Sequence, residues 1–360
     1  MLRPSEFRDL VSGQRKGIAA ACLRGVLRAA EVPYTLAMTA RNRRYDRADS
    51  VHRISAPVIS VGNLTLGGTG KTPMVKWLTQ RAQSYGIRVA IVSRGYGVEN
   101  GKPNDEAMEL AASLPNVPHI QNRDRVAAAT QAIQDYQSQL LVLDDGFQHR
   151  RLGRDLDIVL LDALEPFGFE HVFPRGTLRE PISDLRRANI VCLSRADAIS
   201  LVQREAIRKR VAALAPQAAW CEAAHVACRL VNSNGESLPL EKLAESRVAA
   251  FCGIGNPAGF RHTLAAAHCE PVAWHEFPDH HSYTSADRSV LIALAQKSNA
   301  KMLVCTQKDL VKLRSDILDR IPLWAIAIEM EFLCGQQVME QSLENILRRV
   351  TRVGSRSGCA

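Results

Sequence analysis

The chain has 360 residues, 46% of them hydrophobic, and a formal net charge of +9, which describes a globular protein large enough for two domains with an anionic partner. Nucleic acid, acidic lipid head groups and phosphorylated substrates all satisfy that charge, although only 5% aromatic residues leave little for stacking on bases. Nine cysteines without a C-x-x-C pair fit neither a disulfide framework nor a zinc site and point to a reducing, cytoplasmic compartment.

In chain order, the first 50 residues stand apart. Ile18, Cys22, Val26 and Ala30 recur every four residues, Leu23 and Leu27 widen the stripe, and Arg24 and Arg28 fall opposite. This predicts an amphipathic helix, followed by the basic cluster "RNRRYDR" (41–47). Such a helix either lies in a membrane interface beside anionic lipids or packs on its own domain. No run of about 18 apolar residues suits a membrane span, and the N-terminus lacks the apolar core of a secretory signal.

Apolar runs at 57–61, 89–92, 140–143, 158–161 and 190–193 alternate with helical patterns such as 72–85 and 123–136. That rhythm predicts a parallel sheet with helices on both faces over 51–235. The polar stretch 232–247 precedes further strand-like runs at 248–251, 302–304 and 323–328, so a smaller C-terminal α/β domain is expected over 236–345, with a frayed tail over 346–360.

Inside the first domain, "VGNLTLGGTGKTPMVKWL" (61–78) reads as strand, glycine-rich turn and helix. Thr65, Leu66, Gly67, Gly68, Thr69 and Gly70 supply a turn whose N–H groups can point inward at phosphates, Lys71 adds a charge at the helix start, and Thr72 offers a hydroxyl to Mg²⁺. The pattern is G-x-x-x-x-G-K-[ST] with Thr65 in place of the first glycine, a P-loop NTPase-like element. A second strand end, "LLVLDDGFQHR" (140–150), brings Asp144 and Asp145, either of which could reach the metal, then Gln148 and His149. "VCLSRAD" (191–197) loosely imitates the N-K-x-D element that reads guanine, with Ser194 and Arg195 in its first two places. A GTPase or nucleotide-driven chaperone is therefore the alternative to a kinase on these residues alone.

The sequence also resembles a family, the tetraacyldisaccharide 4′-kinases of lipid A synthesis. The resemblance rests on "SVGNLTLGGTGKTP" (60–73), "VSRGYG" (92–97), "DEA" (105–107), "DR" (124–125), "LDDGFQHRRLGRDLDIVLLD" (143–162), "RGTLREP" (175–181), "FCGIGNPAGF" (251–260), "FPDHHSYT" (277–284) and "TQKDLVKL" (306–313). It implies transfer of the ATP γ-phosphoryl group, with Mg²⁺, to the 4′-hydroxyl of a tetraacyldisaccharide 1-phosphate. The enzyme is then peripheral at the cytoplasmic face of the inner membrane, its basic excess meets anionic lipid, and no nucleic acid or protein partner is implied.

Carried over by motif, Asp105 corresponds to the general base and His280 to the histidine paired with it, with His281 the neighbouring alternative. Lys71, Arg125 and Arg179 become clamps for phosphate charge, Glu180 a weaker candidate, and Gln148 part of the nucleotide cleft. From the residues alone Asp105 reads as a helix cap, and Arg125 and Arg179 could be structural ion pairs. Two departures fall near the acceptor: Asn104 and Ala107 stand where the family has Gly and Pro, and "PFGFEHVFPRG" (166–176) lacks its usual G-N-G.

Overall fold

A computed structural model describes residues 4–95, 105–279 and 281–354. Helices α1 (Pro4–Val11) and α2 (Ile18–Arg44) come first, then β1 (Val58–Asn63), α3 (Lys71–Ser84), β2 (Val89–Ser93), α4 (Asp105–Ser113), β3 (His119–Gln121) and α5 (Arg125–Tyr136). β4 (Leu140–Asp144), β5 (Leu156–Asp162), β6 (Ile190–Ser194), α6 (Leu201–Leu214) and the long β7 (Ala219–Val231) follow. The C-terminal half adds β8 (Ser237–Leu238), α7 (Glu241–Ala244), β9 (Val248–Cys252), α8 (Pro257–Ala266), β10 (Ala273–Glu276) and α9 (Ser285–Lys297). It ends with β11 (Met302–Thr306), α10 (Gln307–Leu313), β12 (Ile317–Leu318), β13 (Ile321–Cys334) and α11 (Gln336–Gly354).

Contacts divide the chain into two compact units. The first holds residues up to Arg94, Val117–Ala224 and everything from Phe332; the second holds Gly95–Asn116 and His225–Glu331. The division at 224/225 falls inside β7 rather than at the polar stretch 232–247, because that strand continues through the point where the core changes. Likewise α11 continues past 346, where the sequence reading begins a frayed tail. Met339, Leu343, Ile346, Leu347 and Val350 form a buried stripe on that helix, and Arg81 of α3 pairs with Glu340 at 3.2 Å.

In the first unit the strands run parallel in the order β3-β2-β4-β1-β5-β6-β7. Every residue of β1, β2, β4, β5 and β6 is buried, so both faces of the sheet are covered, which is why these strands read as unbroken apolar runs. α3 buries Met74, Val75, Leu78 and Ala82; α5 buries Val126, Ala128, Ala129 and Ala132, packed with Leu141 and Leu143 of β4. The second unit has its own parallel strands, β10-β9-β11-β13, with a core around Phe251, Leu291, Leu303 and Leu323.

The register of β1 against β4, Val61 beside Asp144, sets the start of the 64–70 loop next to the 145–149 turn. That turn lies flat on β1 because Gly62 has no side chain: a Cβ there would stand 2.5 Å from the Cβ of Phe147 and 2.6 Å from its backbone nitrogen. Gly62→Ala should lower stability by about 1–3 kcal/mol. A fall in the thermal midpoint checks this, and an unchanged midpoint would mean the turn gives way freely.

Candidate active site

The 64–70 loop is held from three sides. Leu66 N–H donates to the Thr177 carbonyl at 2.7 Å and Arg179 N–H to the Leu64 carbonyl at 2.7 Å, so "RGTLREP" lies along the loop's first half. Asn63 Nδ2 donates to the Thr65 carbonyl at 2.7 Å. Ser194 Oγ donates to the Thr69 carbonyl at 2.8 Å, and Arg195 donates to the Gly68 carbonyl at 3.1 Å while gripping Asp162 at 2.5 Å. The two residues that stood in the first places of the guanine-reading element thus support the phosphate loop. Gly67 and Gly70 take φ of +119° and +82°, conformations open to glycine, and Gly70 turns the chain directly into α3. Arg8 of α1 reaches the same loop, its guanidinium 3.3 Å from where a Cβ on Gly67 would be.

Lys71, the first residue of α3, is 8% exposed. Its ammonium lies 3.4 Å from Asp145 and donates to Asn63 Oδ1 at 3.3 Å. Arg179 donates to both oxygens of the same carboxylate at 2.8 Å and to Gln148 Oε1 at 3.4 Å. Burial pushes the Asp145 carboxyl up, but the charges of Lys71 and Arg179 and their hydrogen bonds outweigh it and hold it well below the usual carboxylate range. Asp145 has φ of 56°, which swings it off the line of β4 toward these cations.

Gln148 ties the turn to the loop: its amide donates to the Asn63 carbonyl at 2.8 Å and to Glu180 at 3.1 Å. Glu180 is fully buried; burial raises its carboxyl against the opposing charge of Arg187, which binds it at 2.9 Å. Asn42 of α2 adds a donor to Glu180 at 2.8 Å. Asn42 and Asn63 escaped the sequence reading, since an asparagine in a helix or at a strand end carries no signal until its partners are known.

A divalent ion asks for hard oxygen donors. Asp144, 2% exposed at the end of β4, and the half-buried Thr72 beside Lys71 provide a carboxylate and a hydroxyl next to the phosphate loop, so the residues fit Mg²⁺ shared with phosphate oxygens and water. Asp145 is already committed to Lys71 and Arg179. Among the described residues no group of three or more His, Cys, Asp or Glu side chains could hold a metal by itself.

The remaining predicted residues are distributed more widely. Arg125, at the start of α5 in the first unit, is 4% exposed and its charge is felt at His149. Asp105 is the first residue of α4 in the second unit, and His280 lies outside the described residues. His281 is engaged within the second unit: it stacks on Phe277 with ring centroids 4.7 Å apart and pairs with Asp287 at 3.1 Å.

The His149 imidazole is pushed down from 6.5 to about 4, by burial first and then by Arg125, Arg154 and Arg41, against the opposing charge of Asp124. Between those values the unfolded chain holds more protons at this site than the folded one, so stability falls as pH drops from 6.5 toward 4. Asp157 and Glu180, raised by burial, act with the opposite sign. His149→Gln removes only the histidine's share. The denaturation midpoint of this variant should therefore rise relative to the unsubstituted protein as pH is lowered through that window, and parallel curves would contradict it.

The sequence model of the family described as Tetraacyldisaccharide-1-P 4'-kinase matches residues 23–348. The Tetraacyldisaccharide 4'-kinase of Anaeromyxobacter sp. strain K is 38% identical over 356 residues, covering 93% of this chain and 93% of that protein. That of Geobacter sulfurreducens is 35% identical, covering 95% and 98%. Among solved structures, the crystal structure of the "apo" form of LpxK from Aquifex aeolicus in complex with ATP superposes with a TM-score of 0.69 at 27% identity, covering 91% of this chain and 99% of that one.

Proposed function

The chain belongs to the tetraacyldisaccharide-1-P 4′-kinase family, and from that premise we infer that it transfers the γ-phosphoryl group of ATP to the 4′-hydroxyl of a tetraacyldisaccharide 1-phosphate, giving the 1,4′-bisphosphate of lipid A synthesis. The observation that carries the reading is the phosphate loop whose Lys71 shares one carboxylate with Arg179.

Phosphoryl transfer needs alignment and charge neutralisation more than covalent help. The loop amides and Lys71 hold the β- and γ-phosphates of ATP. Arg179, positioned by Asp145 and Gln148, and Arg125 are assigned to the charge that develops on the transferring group. Thr72 and Asp144 would hold Mg²⁺, which when bound neutralises phosphate oxygens. Asp105 is assigned as the base that takes the proton of the 4′-hydroxyl, with His280 as its partner.

The acceptor carries four acyl chains, and α2 supplies a surface suited to meeting it in a membrane. Ile18, Val26 and Leu36 are 86%, 63% and 64% exposed, and Cys22, Ala29 and Pro33 continue the same exposed stripe. Exposed Arg28, Arg44 and Arg47 flank it. Among the described residues no helix is long and apolar enough to cross a membrane. We therefore propose peripheral docking of this face at the cytoplasmic surface of the inner membrane, where basic side chains meet anionic head groups.

Labelled γ-phosphate should move from ATP to tetraacyldisaccharide 1-phosphate in detergent micelles with Mg²⁺, and GTP should serve poorly. Asp105→Ala should cut turnover by roughly 10²- to 10⁴-fold while ATP still binds. Nucleotide hydrolysis without a lipid product would reject the kinase reading, and near-normal turnover by the variant would reject the base.

Each Val or Leu side chain buried in lipid contributes about 1.5–3 kcal/mol. The double variant Val26→Glu, Leu36→Glu should accordingly lose at least about tenfold in binding to anionic vesicles by sedimentation. Undiminished binding would move the docking surface elsewhere.

A further inference from the structure

The cations around the phosphate loop are not equivalent. Lys71 and Arg179 share Asp145, so those three side chains together leave one net positive charge, and Arg195 is matched by Asp162. The β- and γ-phosphates of a nucleotide bring more negative charge than that. Arg8 of α1 is different. It is half-buried and makes no side-chain hydrogen bond or close ion pair among the described residues, yet its guanidinium lies beside Gly67, with Nη2 3.3 Å from where a Cβ there would be. Its charge is felt at Glu165, whose carboxylate already accepts from the Thr177 hydroxyl.

Gly67 is joined to Lys71 through Asn63, whose amide donates to the Gly67 carbonyl at 3.5 Å and whose Oδ1 accepts from the Lys71 ammonium at 3.3 Å. Guanidinium and ammonium therefore approach one stretch of the loop, Arg8 directly and Lys71 by way of Asn63. The bare Gly67 leaves room for that approach, since any side chain at this φ of +119° would crowd the guanidinium.

Packing holds α1 in this position. Phe7, next to Arg8, meets Phe173 with ring centroids 6.2 Å apart, Phe173 meets Tyr34 of α2 at 5.9 Å, and Leu10 is fully buried. Beyond the end of α1, Arg15 N–H donates to the Asp9 carbonyl at 2.9 Å and Arg24 of α2 donates to the Arg15 carbonyl at 2.9 Å. A cation carried on a helix fixed in this way loses less freedom when it grips a ligand.

We propose that Arg8 is a phosphate-binding residue, a guanidinium delivered in cis by the N-terminal helix to the γ-phosphate of the nucleotide across Gly67. The inference rests on the kinase reading for ATP as the donor. An arginine from the same chain is one of the recurring means by which phosphate loops of this kind offset the charge of the transferring group, and a guanidinium can meet two phosphate oxygens at once.

The test uses the full chain and Arg8→Gln, which removes the charge and keeps a polar side chain. Calorimetry with Mg²⁺ compares ADP with the β,γ-methylene analogue of ATP. The Kd of the triphosphate analogue should rise about tenfold or more, since a hydrogen bond to a charged group contributes about 1.5–3 kcal/mol, while that of ADP stays unchanged. Arg8→Lys should recover part of the loss, because an ammonium supplies the charge without the fork. In the lipid assay, kcat/KM for ATP should fall by at least the factor lost in binding.

Equal losses for the two nucleotides would mean that Arg8 shapes the loop without meeting the γ-phosphate, and unchanged affinity for both would remove it from the site; either result overturns the proposal. A thermal midpoint shows whether the Gln variant is folded. If it is not, Arg8→Lys decides, with a smaller but selective loss for the triphosphate expected and identical behaviour toward both nucleotides rejecting the assignment. An unsubstituted protein that binds both nucleotides but yields no lipid product would overturn the kinase reading and leave the Arg8 comparison intact.

Discussion

One carboxylate organises the phosphate end of this molecule. Asp145 lies between Lys71 and Arg179, 3.4 Å from one and 2.8 Å from the other. Without it two cations would face each other in a half-buried space, and the repulsion would splay the loop from the "RGTLREP" segment. With it, both cations are held in place through one shared carboxylate beside the loop. The arrangement also separates two adjacent acids: Asp145 is paired with the two cations, while Asp144 is held, buried, in the last position of β4.

Backbone geometry makes that interaction possible. The Val61 to Asp144 register brings the two strand ends level, and the bare Gly62 lets Phe147 settle onto β1. The turn that carries Asp145 and Gln148 is thereby pinned against the loop that carries Lys71. Arg187 lies over the Phe147 ring at 4.3 Å and binds Glu180, so the fully buried Glu180 ties the ring's cover to the Gln148 amide. A packing contact and a polar network thus hold the same turn from opposite sides.

The helix α2 packs on its own domain along one side only. One side is bound to the first unit: Glu31 accepts from Val172 N–H at 3.0 Å, Tyr34 donates to the Arg179 carbonyl at 3.3 Å, and Arg41 donates to the Gln148 carbonyl at 3.0 Å. The other side keeps Ile18, Val26 and Leu36 in solvent. The docking proposed for this helix would use that free face while the polar contacts keep the opposite side on the first unit.

The sequence by itself determined the parallel sheet, the phosphate loop and the family. These are written locally: a strand buried on both faces must be apolar throughout, a turn that wraps phosphate must be glycine-rich, and Lys71 must follow it. Tertiary structure decided what local pattern cannot carry. That Ser194 and Arg195 support the loop, that Asn42 and Glu180 meet Gln148, and that Arg179 shares Asp145 with Lys71 depends on segments more than thirty residues apart meeting at one point. Side-chain partners across such separations are fixed by strand order and register, and neither periodicity nor composition encodes them. The same reason explains the extent of β7 and α11, whose ends are set by what they pack against rather than by the residues at their boundaries.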